Sequence, residues 1–190
     1  MKFTIPNLLS VLRMGLVPLF IIAVLDGQPL KALILFLVAG VTDALDGFIA
    51  RFANQQSLLG TYLDPIADKI LLTSAYVSLA IPSLNPGVQI PVWITVLVIA
   101  RDLLLVVVAL IFYLAVGIRQ FPPTMLSKIN TATQVAAVLV VLVSALLPHL
   151  ESIATTLLYA VAVLTVSSGL DYVIRYSRSS PPASGNIPPQ

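Results

Sequence analysis

The sequence predicts an all-α fold: a polytopic membrane protein with six transmembrane helices and both termini on the cytoplasmic side. Three observations carry this reading. Hydrophobic residues make up 58% of the 190-residue chain and charged residues only 9%, against about 25% charged in an average soluble domain. The apolar stretches approach the roughly 20 residues that a bilayer-spanning helix needs, and the length holds about six of them with short connections, as one domain. The basic residues are distributed unevenly between the two ends of those stretches, and such a bias sets orientation.

The spans read as 8–25, 30–52, 59–82, 92–116, 126–148 and 153–175. The first follows Lys2 but is interrupted by Pro6, Asn7 and Arg13, and no small-residue cleavage site follows it. It therefore reads as a span rather than a removed signal peptide. Residues 1–7 are expected to lie along the membrane interface. The breaks are Asp26-Gly27-Gln28-Pro29, Asn54-Gln55-Gln56, Pro82 to Pro91, Gly117 to Pro123 and Pro148 to Glu151, composed of the usual turn residues. Lys2, Arg51, Arg119, Lys128, Arg175 and Arg178 then fall on one side and Lys31 alone on the other. The first side is cytoplasmic by the positive-inside rule. Residues 1–176 form the transmembrane domain. Residues 177–190 are rich in Ser and Pro and too polar to build a core, so a disordered tail is expected.

The charge excludes one class of function. A net charge of +2 from scattered basic residues leaves no basic stripe for nucleic acid. The chain has no cysteine, so disulfides and thiolate metal sites are ruled out.

Four of the eight acidic residues, Asp43, Asp46, Asp64 and Asp68, sit inside apolar spans. Each costs about 2.5–3.5 kcal/mol at the centre of a membrane helix, on the order of 10 kcal/mol for four. Asp43 and Asp46 are three apart on the second span, and Asp64 and Asp68 are four apart on the third. Each pair therefore shares a helix face, with Gly60 one turn further back on the face of the second pair. The short connection predicts antiparallel neighbours, with all four carboxylates at one depth near the cytoplasmic side. Lys69 and Arg51 cannot neutralise four acids. Oxygen-rich sites of this kind suit hard dications, Mg²⁺ or Mn²⁺, and two such ions would also clamp a phosphate-bearing substrate. The small residues Gly47 and Ala50 lie on or beside the first pair's face, where they admit either a ligand or a packed helix. A buried proton or ion pathway is the competing reading of the quartet.

The stretch Asp43-Ala44-Leu45-Asp46-Gly47-Phe48-Ile49-Ala50-Arg51, then eight residues, Gly60, three residues, Asp64, three residues and Asp68 resembles the signature of the CDP-alcohol phosphotransferases, with no position departing from it. The six-span layout is similar to that family as well, over all of the chain but the tail. The resemblance implies a CDP-linked donor and a two-metal site. Asp43, Asp46 and Asp64 are then metal ligands, and Asp68 is both a ligand and the general base. Gly47, Ala50 and Arg51 line the cytidine site, with Gly60, Asp43 and Asp46 also on the donor side. Asn7 and Ser10 on the first span are expected to face the donor. Arg13 either joins them or snorkels to the interface. A homodimer is expected from the same resemblance.

The opening Ile5-Pro6-Asn7-Leu8-Leu9-Ser10-Val11-Leu12-Arg13 resembles the branch acting on glycerol-type acceptors, the glycerol-phosphate phosphatidyltransferases and the CMP-forming cardiolipin synthases. Ala53-Asn54-Gln55, Arg101-Asp102 and Pro123-Thr124-Met125-Leu126-Ser127-Lys128-Ile129-Asn130-Thr131 look like the synthases. A downstream Ser-Gly-Leu-Arg element of the glycerol-phosphate enzymes is replaced here by Val106-Val107-Val108-Ala109. A dianionic glycerol 3-phosphate wants a cationic clamp, so phosphatidylglycerol is the favoured acceptor and glycerol 3-phosphate the alternative. Arg101, Lys128 and Asn130 are the acceptor-side candidates. Arg101 reads alternatively as an ion-pair partner of Asp102 or of the acid quartet, and Lys128 as an ordinary interfacial lysine. CDP-diacylglycerol is the expected donor and a bacterial inner membrane the expected location. An ion-coupled transporter would place acids in the membrane too, but in corresponding segments of both halves. Here they occupy only the second and third spans.

Overall fold

A computed structural model of the chain describes residues 5–52, 58–81, 89–116 and 124–178, and at 5–7, 46–52, 58–65, 109–113, 115–116 and 175–178 only their backbone. Six helices follow one another: α1 Ile5–Leu25, α2 Pro29–Phe52, α3 Leu58–Ala80, α4 Val92–Val116, α5 Met125–Ser144 and α6 Glu151–Arg178. A 3-10 turn at Pro148–Leu150 precedes α6. No strand occurs among the described residues.

The helix ends follow local chemistry. α1 starts at Ile5, so residues 5–7 belong to the helix rather than to a separate interfacial segment. It stops at a reversal in which the Gln28 N–H donates to the Ala23 carbonyl at 2.9 Å and the Gly27 N–H to the Val24 carbonyl at 3.1 Å. Gly27 is left-handed there, with φ 67°, the glycine-favouring end of a Schellman motif. α5 opens on Thr124, whose side chain accepts from the Ser127 N–H at 3.2 Å, a hydroxyl N-cap. It ends at Ser144, four residues before the span read from the sequence, because Pro148 forces a new start. α6 begins at Glu151, where a carboxylate suits the positive end of the helix dipole. α4 is pinned to α3 where Thr95 Oγ1 donates to the Tyr76 carbonyl at 3.2 Å.

Among the described residues, α1 packs most extensively against both α2 and α3, α5 against α6, and α4 against α6; α2 meets α5, and α3 touches α4 and α5 more lightly. Fully buried Ala23, Ala32, Ala39, Ala75, Ala137 and Ala154 let the helices approach closely, as small residues do inside membranes. Phe20 of α1 and Phe36 of α2 meet at a tilt of 47° with ring centroids 5.8 Å apart.

The radial polarity is that of a membrane protein. On α1, Leu8, Val11, Leu12, Leu19 and Ile22 point outward, while Ser10 and Arg13 are wholly buried. Thr95, Arg101, Asn130, Gln134, Thr165 and Ser168 are likewise buried, and Val96, Leu103, Val106, Val163 and Val166 are exposed. Polar groups are inside and apolar ones outside because the surrounding solvent is hydrocarbon. Among the described residues, Leu8–Leu25, Met125–Ser144 and Pro148–Ile174 are long and apolar enough to cross a bilayer. α2 and α3 have comparable lengths, 24 and 23 residues, but they carry the acids.

Candidate active site

Arg13 organises the centre of the structure. α1 carries it inward, fully buried, to a point facing both α2 and α3. Its Nη2 pairs with Asp43 Oδ1 of α2 at 2.8 Å, and its Nη1 pairs with Asp68 Oδ1 of α3. One guanidinium therefore draws together a carboxylate from each acidic helix. Both carboxylates stay about half exposed, at 44% and 49%, and so remain open to a ligand. A buried arginine with no counter-charge would be very costly in a membrane, and two acids on different helices remove that cost.

These groups line a cavity of about 460 Å³ enclosed by α1, α2, α3 and α5. Arg13, Asp43, Asp68, Lys69 and Thr131 give it a polar end, and Phe36, Ala39, Leu71, Leu72 and Val135 an apolar one. Gly40, one turn from Asp43, borders the same space, and a Cβ there would meet no atom within 4 Å. A cavity charged at one end and apolar at the other suits an amphiphilic ligand.

A second polar cluster adjoins the first. Lys69 follows Asp68 on α3 but turns toward α4, where its Nζ lies 2.5 Å from Asp102 Oδ2. The other oxygen of Asp102 accepts from Arg101 Nη1 at 2.8 Å. The remaining Arg101 nitrogens donate to Ser168 Oγ of α6 at 3.0 Å and to Ser127 Oγ of α5 at 2.7 Å. Ser127 sits where the Thr124 cap places it. This cluster ties α3, α4, α5 and α6 together at one level.

The sequence candidates fare differently. Asp43 and Asp68 are brought together, with Ser10 buried one turn before Arg13 on the same face of α1. The side chains of Asn7, Asp46, Gly47, Ala50, Arg51, Gly60 and Asp64 lie outside the described residues, as do Asn54 and Arg119, although the backbone of the first seven is helical. Arg101 is the ion-pair partner of Asp102. Lys128 is exposed on α5. Asn130 is fully buried and accepts from Thr165 Oγ1 at 3.2 Å, so it faces α6. One turn on, Gln134 is also fully buried, with both side-chain amide atoms unpartnered among the described residues. The bridging role of Arg13 and the Lys69–Asp102 pair escape sequence reading. The only available signal is that charges so deep in apolar runs must find partners.

Two half-exposed carboxylates on either side of one cation form an all-oxygen donor set, which fits a hard dication such as magnesium or manganese. Asp43 and Asp68 are the described residues that would hold it, with Asp46 and Asp64 on the same helices.

Residues 3–167 match the CDP-alcohol phosphatidyltransferase family. The chain belongs to that family. Among CDP-alcohol phosphatidyltransferases it is 36% identical, over 94% of its length, to the CMP-forming cardiolipin synthases of Rattus norvegicus and Homo sapiens. It spans 63% of the length of each of those two relatives. It is 33% identical to the CDP-diacylglycerol–glycerol-3-phosphate 3-phosphatidyltransferase of Haemophilus influenzae, over 91% of this chain and 93% of that one. The acids of α2 and α3, Arg13 and the Lys69–Asp102–Arg101 cluster all lie within the stretch that matches the family.

Proposed function

We propose that the protein transfers a phosphatidyl group from CDP-diacylglycerol to a glycerol-type alcohol, releasing CMP, with phosphatidylglycerol as the favoured acceptor. The observation that carries the reading is the Arg13 bridge, which sets Asp43 and Asp68 together in the lining of a cavity charged at one end and apolar at the other. The cardiolipin synthases among its relatives support the acceptor. Glycerol 3-phosphate is the second reading, supported by the Haemophilus influenzae relative, which this chain nearly covers end to end.

Asp43, Asp46, Asp64 and Asp68 would hold two magnesium or manganese ions. Bound there, the ions supply charge stabilisation for the pyrophosphate. Asp68 accepts the proton of the acceptor hydroxyl. That oxygen forms a bond to the phosphatidyl phosphorus as the bond to the CMP oxygen breaks. Asn7, Ser10, Gly47, Ala50, Arg51 and Gly60 border the donor. Lys128 and Asn130 belong to the acceptor side, where Arg101 braces neighbouring groups. The rate gain comes mostly from positioning and charge, as in other phosphoryl transfers. The protein works as a homodimer in a bacterial cytoplasmic membrane, with the acids and both termini toward the cytoplasm.

The test supplies purified protein with CDP-diacylglycerol and magnesium, offers phosphatidylglycerol or glycerol 3-phosphate, and identifies the lipid formed. CMP should appear together with cardiolipin in the first arm. Asp68→Asn should lower turnover by about 10²-fold or more while donor binding survives. Absence of CMP with either alcohol would sink the reading.

A further inference from the structure

The geometry points to Lys69, positioned by Asp102, as the group that binds the anionic phosphate of the acceptor, with Arg101 acting only through Asp102. This rests on the phosphatidyl-transfer reading and deepens it. Two of the described cations line the cavity. Arg13 is fully buried and committed to two carboxylates. Lys69 is 47% exposed in the same cavity and carries an ammonium with three donors, one of which Asp102 takes. Arg101 is poorly placed to serve directly, because its side chain is only 4% exposed and each of its three nitrogens is already turned toward a partner within the protein, Ser168, Asp102 and Ser127.

The charge balance separates two subsites. Arg13 with Asp43 and Asp68 sums to one negative charge, which favours a cation. Lys69 with Asp102 and Arg101 sums to one positive charge, which favours an anion. Asp68 and Lys69 are consecutive on α3, so a phosphate on Lys69 lies beside the base. Asp102 has both oxygens engaged, by Lys69 and by an arginine that two serines lock in place. Lys69 is therefore held at a fixed place rather than ranging on its flexible stem. The shared ligand chemistry is a phosphate anion next to a free hydroxyl, as in phosphatidylglycerol or glycerol 3-phosphate.

The experiment measures CMP release from CDP-diacylglycerol by purified protein, varying acceptor and donor in turn, with phosphatidylglycerol in one arm and glycerol 3-phosphate in the other. Whichever acceptor yields product is the one whose KM must respond. Lys69→Gln should raise the acceptor KM about tenfold, the size of one charge-assisted hydrogen bond, and leave the donor KM within about twofold. Asp102→Asn should move the acceptor KM the same way. The double variant should be no worse than Lys69→Gln alone, because both remove one contact. Lys69→Arg keeps the charge and should hold the acceptor KM within roughly threefold of wild type. An equal rise in both KM values, a fall in kcat with the acceptor KM unchanged, or additive effects of the two substitutions would each overturn the assignment. Should Lys69→Gln fail to fold, an unchanged acceptor KM in Asp102→Asn overturns it. CMP release by wild type with a normal acceptor KM in Lys69→Gln defeats this inference alone. No CMP with either acceptor defeats the phosphatidyl-transfer reading and this inference with it.

Discussion

Arg13 shows how far a single side chain can determine a site. It reaches two carboxylates on different helices from a fully buried position. Removing it would leave two like charges facing each other in a medium that screens them poorly. Arg13→Leu should therefore lower stability by roughly 1–3 kcal/mol, an amount tempered by the half-exposed carboxylates. Thermal unfolding in detergent measures this, and added magnesium should recover part of the loss by replacing the missing charge. An unchanged unfolding temperature would mean that the bridge does not support the fold. Asp43 and Asp68 were legible in the sequence because an acid in an apolar run is costly enough to demand a reason. Arg13 was not, because its partners lie on other helices and a lysine or arginine near a helix end more often snorkels. The Arg101–Asp102 contact was legible as one of two pairings because the residues are adjacent. The second partner of Asp102 depended on which way α3 turns Lys69, and spacing along one helix does not settle that.

At the scale of elements, the reversals matter as much as the spans. Gly27 adopts a left-handed conformation that costs a side-chain-bearing residue roughly 1–2 kcal/mol, and a β-branched one more than most. Gly27→Val should destabilise the α1–α2 pair by about that much, read as a lower unfolding temperature with the acidic site chemically untouched. Equal stability would show that the turn relaxes without penalty. The break itself was legible from Asp26-Gly27-Gln28-Pro29, since these residues favour turns. The path of the chain after it was less so. A short α2–α3 connection suggested an antiparallel pair, but it did not indicate that α1 would pack against both helices. Likewise α5 ends earlier than its apolar run, because hydropathy does not register the backbone consequence of Pro148.

For the whole molecule, the lack of cysteine makes orientation directly measurable, since an introduced thiol has no background to compete with. Gln28→Cys and His149→Cys, both at exposed positions in the reversals before α2 and α6, should react with an impermeant maleimide from outside intact cells. Asn54→Cys should react only after the membrane is opened. The reverse pattern would invert the orientation derived from the basic residues. The all-helical class and the membrane setting were legible from composition alone, because hydrocarbon demands an apolar exterior whatever the helix arrangement. Which helices meet was not legible, because an apolar exterior looks the same on every side.

The cavity takes its walls from α1, α2 and α3 on one side and from α5 on the other. Two tight reversals make the α1–α2 and α5–α6 hairpins local in sequence, so each can insert and pair early, as membrane helices do before they associate. The contact of α2 with α5 joins helices far apart in sequence, so it is expected to close after the hairpins. The α5 wall of the cavity, Thr131 and Val135, is then expected to be set last during assembly and to be lost first when the two halves loosen. A preparation in a harsh detergent can keep its full helical signal and both hairpins while the space beside Asp68 no longer exists. Helix content therefore reports that the protein has folded, not that it is fit to turn over.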